Sequence, residues 1–348
     1  MTDLRTLLLA LPFLLLAACA GPTGVKLPEG PWVVNEPEAE MANGKLIVFV
    51  TGDEEYRSEE GMPQLARILA ERHGFRCLTL FSIDQGSGDI APDVNNNIPG
   101  LSLLDHADLV VLFTRFRDLP DEQMVHLAGY LESGRPLVAL RTATHAFKLR
   151  ADSPWADAYN WNSQAEGLAG GFGRRVLGET WIAHHGQHGV QGTRGIIDVG
   201  ALAHPVIRGV ADGAIFGTTD VYRVRLPMPE GFRTLVAGEV TESLDPTSAA
   251  VEGEVNDPLM PVAWVRQNSR GEGRPSRVFT TTMGAATDLT NESLRRLLVN
   301  ACYWTLGLEV PANADVALVG DYEPTAFGFG GAKQGVKPAD LAWPVSDG

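Results

Sequence analysis

An open, mostly parallel α/β sheet flanked by helices is the fold class this sequence predicts, and three observations carry it. Short, continuous apolar runs rich in β-branched residues recur through the first half of the chain, as strands buried on both faces require. Segments of helical period separate these runs, and the connections are short, which is the βαβ alternation of a parallel sheet. The 348 residues are 44% hydrophobic and 20% charged, a globular composition with enough apolar material for a large core.

The first element is an export segment. Residues 1–20 read MTDLRTLLLALPFLLLAACA, with Arg5 ahead of an apolar run from Leu7 to Leu16 that is too short to span a bilayer as a mature helix. The run ends in Leu16-Ala17-Ala18-Cys19, which resembles a bacterial lipobox. That resemblance implies a lipoprotein signal peptide over 1–18, a lipid on Cys19 and a membrane partner through that lipid. The expected setting is the cell envelope, on the periplasmic face of the outer membrane in a Gram-negative host, because position 20 is Ala rather than Asp. Residues 19–43, rich in Pro, Gly and Glu without an apolar period, read as a tether.

The main domain is expected over 44–311. The run 45–51 is its first strand. A helix follows over 59–73, with Met62, Leu65, Ile68 and Leu69 on one face and Gly74 as its stop. Strands at 76–82 and 108–113 flank a loop over 86–100. Pro120-Asp121-Glu122 opens the next helix, since proline fits a first turn and acids favour its positive end. Met124, Leu127, Ala128 and Leu131 form its buried face, Gly134 ends it, and 136–140 is a further strand. Periodicity fades over 151–260, where only 235–240 reads as a strand. Strands at 261–266 and 277–282 and an amphipathic helix over 291–306 complete the domain. Residues 312–348, rich in Gly and Pro, are expected to wrap the surface as an extension.

Charge and cysteine content narrow the chemistry. The net charge is −15, from 43 acidic against 28 basic residues, and no Lys/Arg stripe occurs, which excludes a nucleic-acid-binding face. Three cysteines cannot build a disulfide framework, and with Cys19 lipidated only Cys77 and Cys302 remain as thiols. Ligands of open parallel sheets sit beyond the C-terminal ends of the strands. That rule selects three loops: Gly52-Asp53-Glu54-Glu55-Tyr56-Arg57, Thr114-Arg115-Phe116-Arg117-Asp118 and Arg141-Thr142-Ala143-Thr144-His145-Ala146-Phe147. A second cluster, 170–188, brings His184, His185 and His188 together beside Trp181. His184 and His188 are four apart, a metal-ligand spacing on a helix, although Gly186 and Gly189 interrupt one. With His145 and an acid such as Asp53 or Glu179 they would hold a divalent metal. The same residues would equally form a sugar-binding patch with Trp181 stacking. His204, before Pro205, is either catalytic or turn-stabilising, and Asp220 and Tyr222 stand equally open.

The motifs VTGDEEYRSEE, LRTATHAF, HPVIRGV, PVAW, RVFTTTMGAATDL and NACYWTLGLEVP, in this order over residues 45–311, resemble the ThuA-like family, named for trehalose utilisation. The resemblance implies a flavodoxin-like sheet, as in class I glutamine amidotransferases, and a role in disaccharide or keto-sugar catabolism. Amidotransferases of this fold carry a nucleophilic cysteine on the turn after the strand matching 136–140; Arg141 stands there instead, so glutamine hydrolysis is not expected. Two readings follow. In the first, the chain is a hydrolase, lyase or isomerase of a 3-keto-glycoside. His145, expected to matter more than any other single histidine, or a member of the His184, His185 and His188 group is then the acid or base, and Arg141 and Arg115 hold an oxyanion or enolate. Asp53, Glu54, Tyr56, Arg57, Trp181 and His188 contact the sugar. In the second, the chain is a non-catalytic carbohydrate-binding lipoprotein using the same aromatic and arginine side chains. Convergence of the histidines on the three loops separates the two.

Overall fold

Successive residues of the first long strand point to opposite sides of the sheet and meet different partners. Ile47 and Phe49 join the core formed with Met62, Leu65 and Leu69 of one helix and Leu294, Leu297 and Leu298 of another. Val48 and Val50 join the opposite core, formed with Met124, Leu127 and Leu131. A run apolar at every position thus fills two layers at once, and the result is a helix–sheet–helix sandwich.

The structure, a computed structural model, describes residues 26–268 and 276–343. The expected signal peptide and Cys19 lie outside the described residues. The strands are β1 (Trp32–Asn35), β2 (Leu46–Gly52), β3 (Arg76–Leu80), β4 (Leu109–Thr114), β5 (Leu137–Leu140), β6 (Thr193–Ile197), β7 (Ile215–Gly217), β8 (Phe232–Val240), β9 (Met260–Gln267) and β10 (Arg277–Thr281). They form one sheet in the order β1-β3-β2-β4-β5-β10-β9-β8-β6-β7. Strands β3, β2, β4, β5 and β10 are parallel, and their C-terminal ends share one edge. Antiparallel strands extend the sheet on both sides. The helices are α1 (Ser58–His73), α2 (Asp121–Glu132), the single turn α3 (Ala156–Tyr159) and α4 (Glu292–Leu306). Gly74 and Gly307, both left-handed, end α1 and α4.

The expected open α/β sheet is present. Three strands add to it. β1 forms within the stretch read as a tether, pairing antiparallel with β3. β6 and β7 form within the region that lacked a period. Each is short, and β1 and β6 are buried only at alternate positions, which leaves little apolar signal.

Residues 312–343 pack over α1 and α4. Arg295 Nε donates to the Val316 carbonyl at 2.7 Å and Arg72 Nε to the Ala317 carbonyl at 2.9 Å. The segment then runs to the edge where the parallel strands end, and Arg57 Nη2 donates to the Gly328 carbonyl there at 2.6 Å.

Candidate active site at the strand ends

The three loops beyond β2, β4 and β5 meet, and each turns on a residue that strains to do so. Arg57, Phe116 and Arg141 have φ of 60°, 47° and 44°, and they are the non-glycine residues with positive φ among the described residues. Side chains other than glycine resist that region, and strain of this kind collects at functional sites. The loops are laced together. The Phe116 and Arg117 amides donate to the His145 and Ala146 carbonyls at 3.0 and 2.7 Å. Asp53 accepts from the Glu55 and Tyr56 amides and from the Thr142 hydroxyl of the third loop. A fourth wall, carrying Trp181, is drawn in by close backbone approach. A Cβ on Gly173 would stand 2.2 Å from the Thr144 carbonyl oxygen, so only glycine fits there.

Asp220, from the turn after β7, is the centre of the site. Its side chain is fully buried and accepts from His184 Nδ1 at 2.8 Å, His188 Nδ1 at 3.0 Å and Arg141 Nη2 at 2.9 Å. Burial alone would raise its pKa, but Arg141 and the two imidazole hydrogen bonds hold it well below the usual carboxylate range. Arg141 is buried as deeply. Its guanidinium lies between the rings of Tyr222 and Tyr56, 3.7 and 4.5 Å from their centroids. Nη1 donates to the Asp220 and Thr282 carbonyls, both at 2.7 Å, and Nη2 also reaches the Tyr56 hydroxyl at 3.1 Å. Burial opposes its charge, yet Tyr222, Tyr56 and Asp220 together raise its pKa, so it remains a cation.

His188 bridges two acids. Its Nδ1 faces Asp220, and its Nε2 lies 3.2 Å from Glu55 Oε1. The hydrogen bond to Asp220 raises its pKa against the opposing effect of burial. Glu55 is raised in turn, chiefly by burial. Both shifts favour the protonated forms of this pair. His184 and His188 keep about a third of their side chains exposed, 37% and 34%. Their rings face the crevice 4.7 Å apart, with Trp181 5.8 Å from His184.

His145 forms part of the floor. It is 3% exposed, with Phe116, Trp181 and Tyr222 at 4.9, 5.5 and 6.1 Å between ring centroids. Burial, then Arg115 and Arg141, push its pKa well below the usual imidazole value, so the ring is neutral. The Thr144 hydroxyl donates to the Arg141 carbonyl at 3.2 Å and so accepts from His145 Nδ1, also at 3.2 Å, which leaves the lone pair on Nε2.

Several expected roles change. Arg141 was expected to hold an oxyanion, but its terminal nitrogens are occupied within the protein; it is the counter-ion of Asp220. Asp53 and Arg57, expected to contact sugar, are buried and hydrogen-bonded inside the scaffold. Tyr56 is likewise buried beneath Arg141. Glu54 clamps Arg115 and Arg117. His185 turns away, with Nε2 2.7 Å from the Val255 carbonyl oxygen. Glu179, weighed as a metal ligand, is tied to Arg174 and Arg225. The donors that do converge are those of His184, His188 and Asp220, all within 4.8 Å of one another, a set that would suit a divalent cation. His204 accepts from the Val206 amide at 3.3 Å and stabilises a turn. Cys77 and Cys302 are buried in the core, the latter thiol pushed up to about 12 by burial, and neither is a nucleophile.

Some site residues had no sequence assignment. Glu55 was visible in the first loop without a role, and Phe116 in the second. Trp161 lies 5.6 Å from Phe116 and 5.8 Å from Trp181, and its buried Nε1 has no hydrogen-bond partner among the described residues. Phe327, from the C-terminal extension, packs 5.5 Å from Tyr56 and 5.4 Å from His188.

Comparison with known proteins places this site in a family. No curated protein matches the chain. Among solved structures, it is similar to a ThuA-like protein from Bacteroides uniformis, at 14% identity and a TM-score of 0.46, covering 76% of this chain and 92% of that one. A ThuA-like protein from Parabacteroides merdae is similar at 14% identity and a TM-score of 0.46, covering 86% of this chain and 99% of that one. The sequence model of the ThuA family, described as trehalose utilisation, matches residues 46–305, which include the three loops, the histidine cluster and Asp220. The chain therefore belongs to the ThuA family.

Proposed function

We propose that the crevice binds a carbohydrate, a disaccharide or its keto form, and turns it over by acid–base chemistry with His184 moving the proton. The observation that carries this reading is the exposed His184 ring, held at Nδ1 by the buried, ionised Asp220. A carboxylate in that position fixes the tautomer with the Nε2 lone pair outward and stabilises the imidazolium formed when Nε2 takes a proton. A base so placed removes a proton from carbon beside a sugar ketone, as a lyase or isomerase requires, or activates water, as a hydrolase requires. Arg115, partly exposed beside Phe116, supplies positive charge for the oxygen that becomes negative. Trp181 and Phe116 offer ring faces for stacking against a sugar, and the family's description points to the same substrate class. The lipobox supports placing this activity in the cell envelope, on the lipid of Cys19.

One observation favours a second reading. The donors of His184, His188 and Asp220 lie close enough to share a divalent cation, which would then polarise the sugar oxygen as a Lewis acid. Both readings are tested by incubating the protein with disaccharides and their 3-keto forms, with and without a chelator, and following products. Turnover that resists the chelator and falls at least about a hundredfold in His184→Ala supports the general base. Turnover abolished by the chelator and restored by a divalent ion assigns the cation. Calorimetric binding with no product assigns a non-catalytic carbohydrate-binding role.

A further inference from the structure

We propose that Phe329, on the C-terminal extension, is an outer sugar-binding surface of this crevice, so that its ligand extends beyond a single ring. The inference rests on the carbohydrate reading above. Phe329 is 64% exposed and is the one aromatic residue among the exposed large hydrophobics of the described residues. Its exposure is built in. The preceding Gly328 amide donates to the Glu55 carbonyl at 2.7 Å, and Arg57 donates to the Gly328 carbonyl at 2.6 Å. Upstream, the Thr325 amide and hydroxyl both donate to Glu60 at 2.7 Å; downstream, Lys333 approaches the same carboxylate at 3.5 Å. Phe327, two residues before, is seated on Tyr56 and His188. A ring whose flanking chain is held on both sides, and which is still left in water, is apolar surface that a ligand would cover.

Its surroundings define that ligand. The Arg115 guanidinium lies 4.5 Å from the Phe116 centroid and 5.0 Å from that of Phe329. Phe116 belongs to the inner aromatic group with His145 and Trp161, so Arg115 links an inner and an outer ring surface. The Arg115 Nε, buried, stands 3.4 Å from Glu55 Oε2. A lone ring beside charged, hydrogen-bonding groups suits a molecule with one apolar face and a rim of hydroxyls, which is a pyranose rather than an apolar surface. The family match ends at residue 305, so Phe329 lies beyond the matched span.

The test is calorimetry with glucose, trehalose and the 3-keto form of each on wild type, Phe329→Ala and Phe329→Trp. Melting temperatures confirm folding of the variants, which an exposed position permits. Phe329→Ala should weaken disaccharide binding about tenfold, leave monosaccharide binding within about twofold, and be rescued by Phe329→Trp. Equal weakening of both sugar lengths, indifference to the substitution, or wild-type binding of monosaccharides alone overturns the outer surface but keeps the carbohydrate reading. A wild type that binds none of the four sugars overturns both.

Discussion

Asp220→Asn strikes the site at its centre. Asparagine keeps the shape and one acceptor oxygen of the carboxylate but replaces the other oxygen with an NH₂ donor. With the remaining oxygen on Arg141, the amide nitrogen faces His184 Nδ1, now 2.8 Å from a carboxylate oxygen. That ring nitrogen must then carry the lone pair, and the proton moves to Nε2. The exposed nitrogen turns from base to donor. Loss of a positioned base costs about a hundredfold to ten-thousandfold in rate, so kcat/KM should fall at least about a hundredfold. Stability should fall too. Removing one charge of a buried pair costs about 3–5 kcal/mol. Arg141 would still keep two carbonyls, the Tyr56 hydroxyl and two tyrosine faces. The low end, about 3 kcal/mol, is therefore expected, or roughly 4 °C in Tm for a chain of this size. Nitrogen-15 NMR of the histidine rings reads the tautomer, calorimetry the Tm, and product formation the rate. A folded variant with His184 still protonated at Nδ1, or with activity within about threefold of wild type, would refute the role given to Asp220.

The same cluster sets a pH window. Asp220, depressed in the fold, contributes stability that is present above about pH 4 and lost as pH falls toward its native value. His188, raised in the fold, contributes stability that is complete below about pH 6.5 and lost as pH rises through its native value. The stability lost in His188→Ala, read from urea midpoints, should therefore be largest below about pH 6.5 and shrink as pH rises through the native value; a loss that does not change with pH would remove His188 as a contributor. Cys77 and Cys302, both buried with thiols pushed up, should react with a thiol reagent only on unfolding, measured in a Cys19→Ser background. Fast labelling of the native protein at either position would contradict their burial. Cys19→Ser should move the protein from the membrane to the soluble fraction, and retention after a carbonate wash would rule out the lipid.

The centre of this fold could be read from sequence because its strands are buried on both faces. β2, β4 and β5 are buried at every position and apolar through their length up to the last one or two residues, and helices α1 and α4 carry a full apolar stripe. β1 and β6 could not, since a short, half-buried strand shows too few apolar residues to mark a period, and β7, though buried, is only three residues long. The site divided along the same line. The strand-end rule found the three loops. It could not say which way each side chain turns, so Asp53, Arg57 and Arg141 looked available when hydrogen bonds inside the protein had claimed them. Asp220 comes from the antiparallel wing and Phe327 from a stretch without regular elements, so no periodic signal pointed to either.

The three left-handed residues bear on how this protein responds to selection. Each strained position costs of order 1–3 kcal/mol, and glycine would relieve it. At Phe116 the relief removes the half-buried ring that stands beside His145, Trp161 and Arg115. A thermostability screen would thus have a direct route through glycine at this position, and an activity screen would discard the same substitution. Libraries chosen for heat resistance alone would drift toward sturdier proteins with an unfurnished crevice, and the two selections would have to be applied together to keep both.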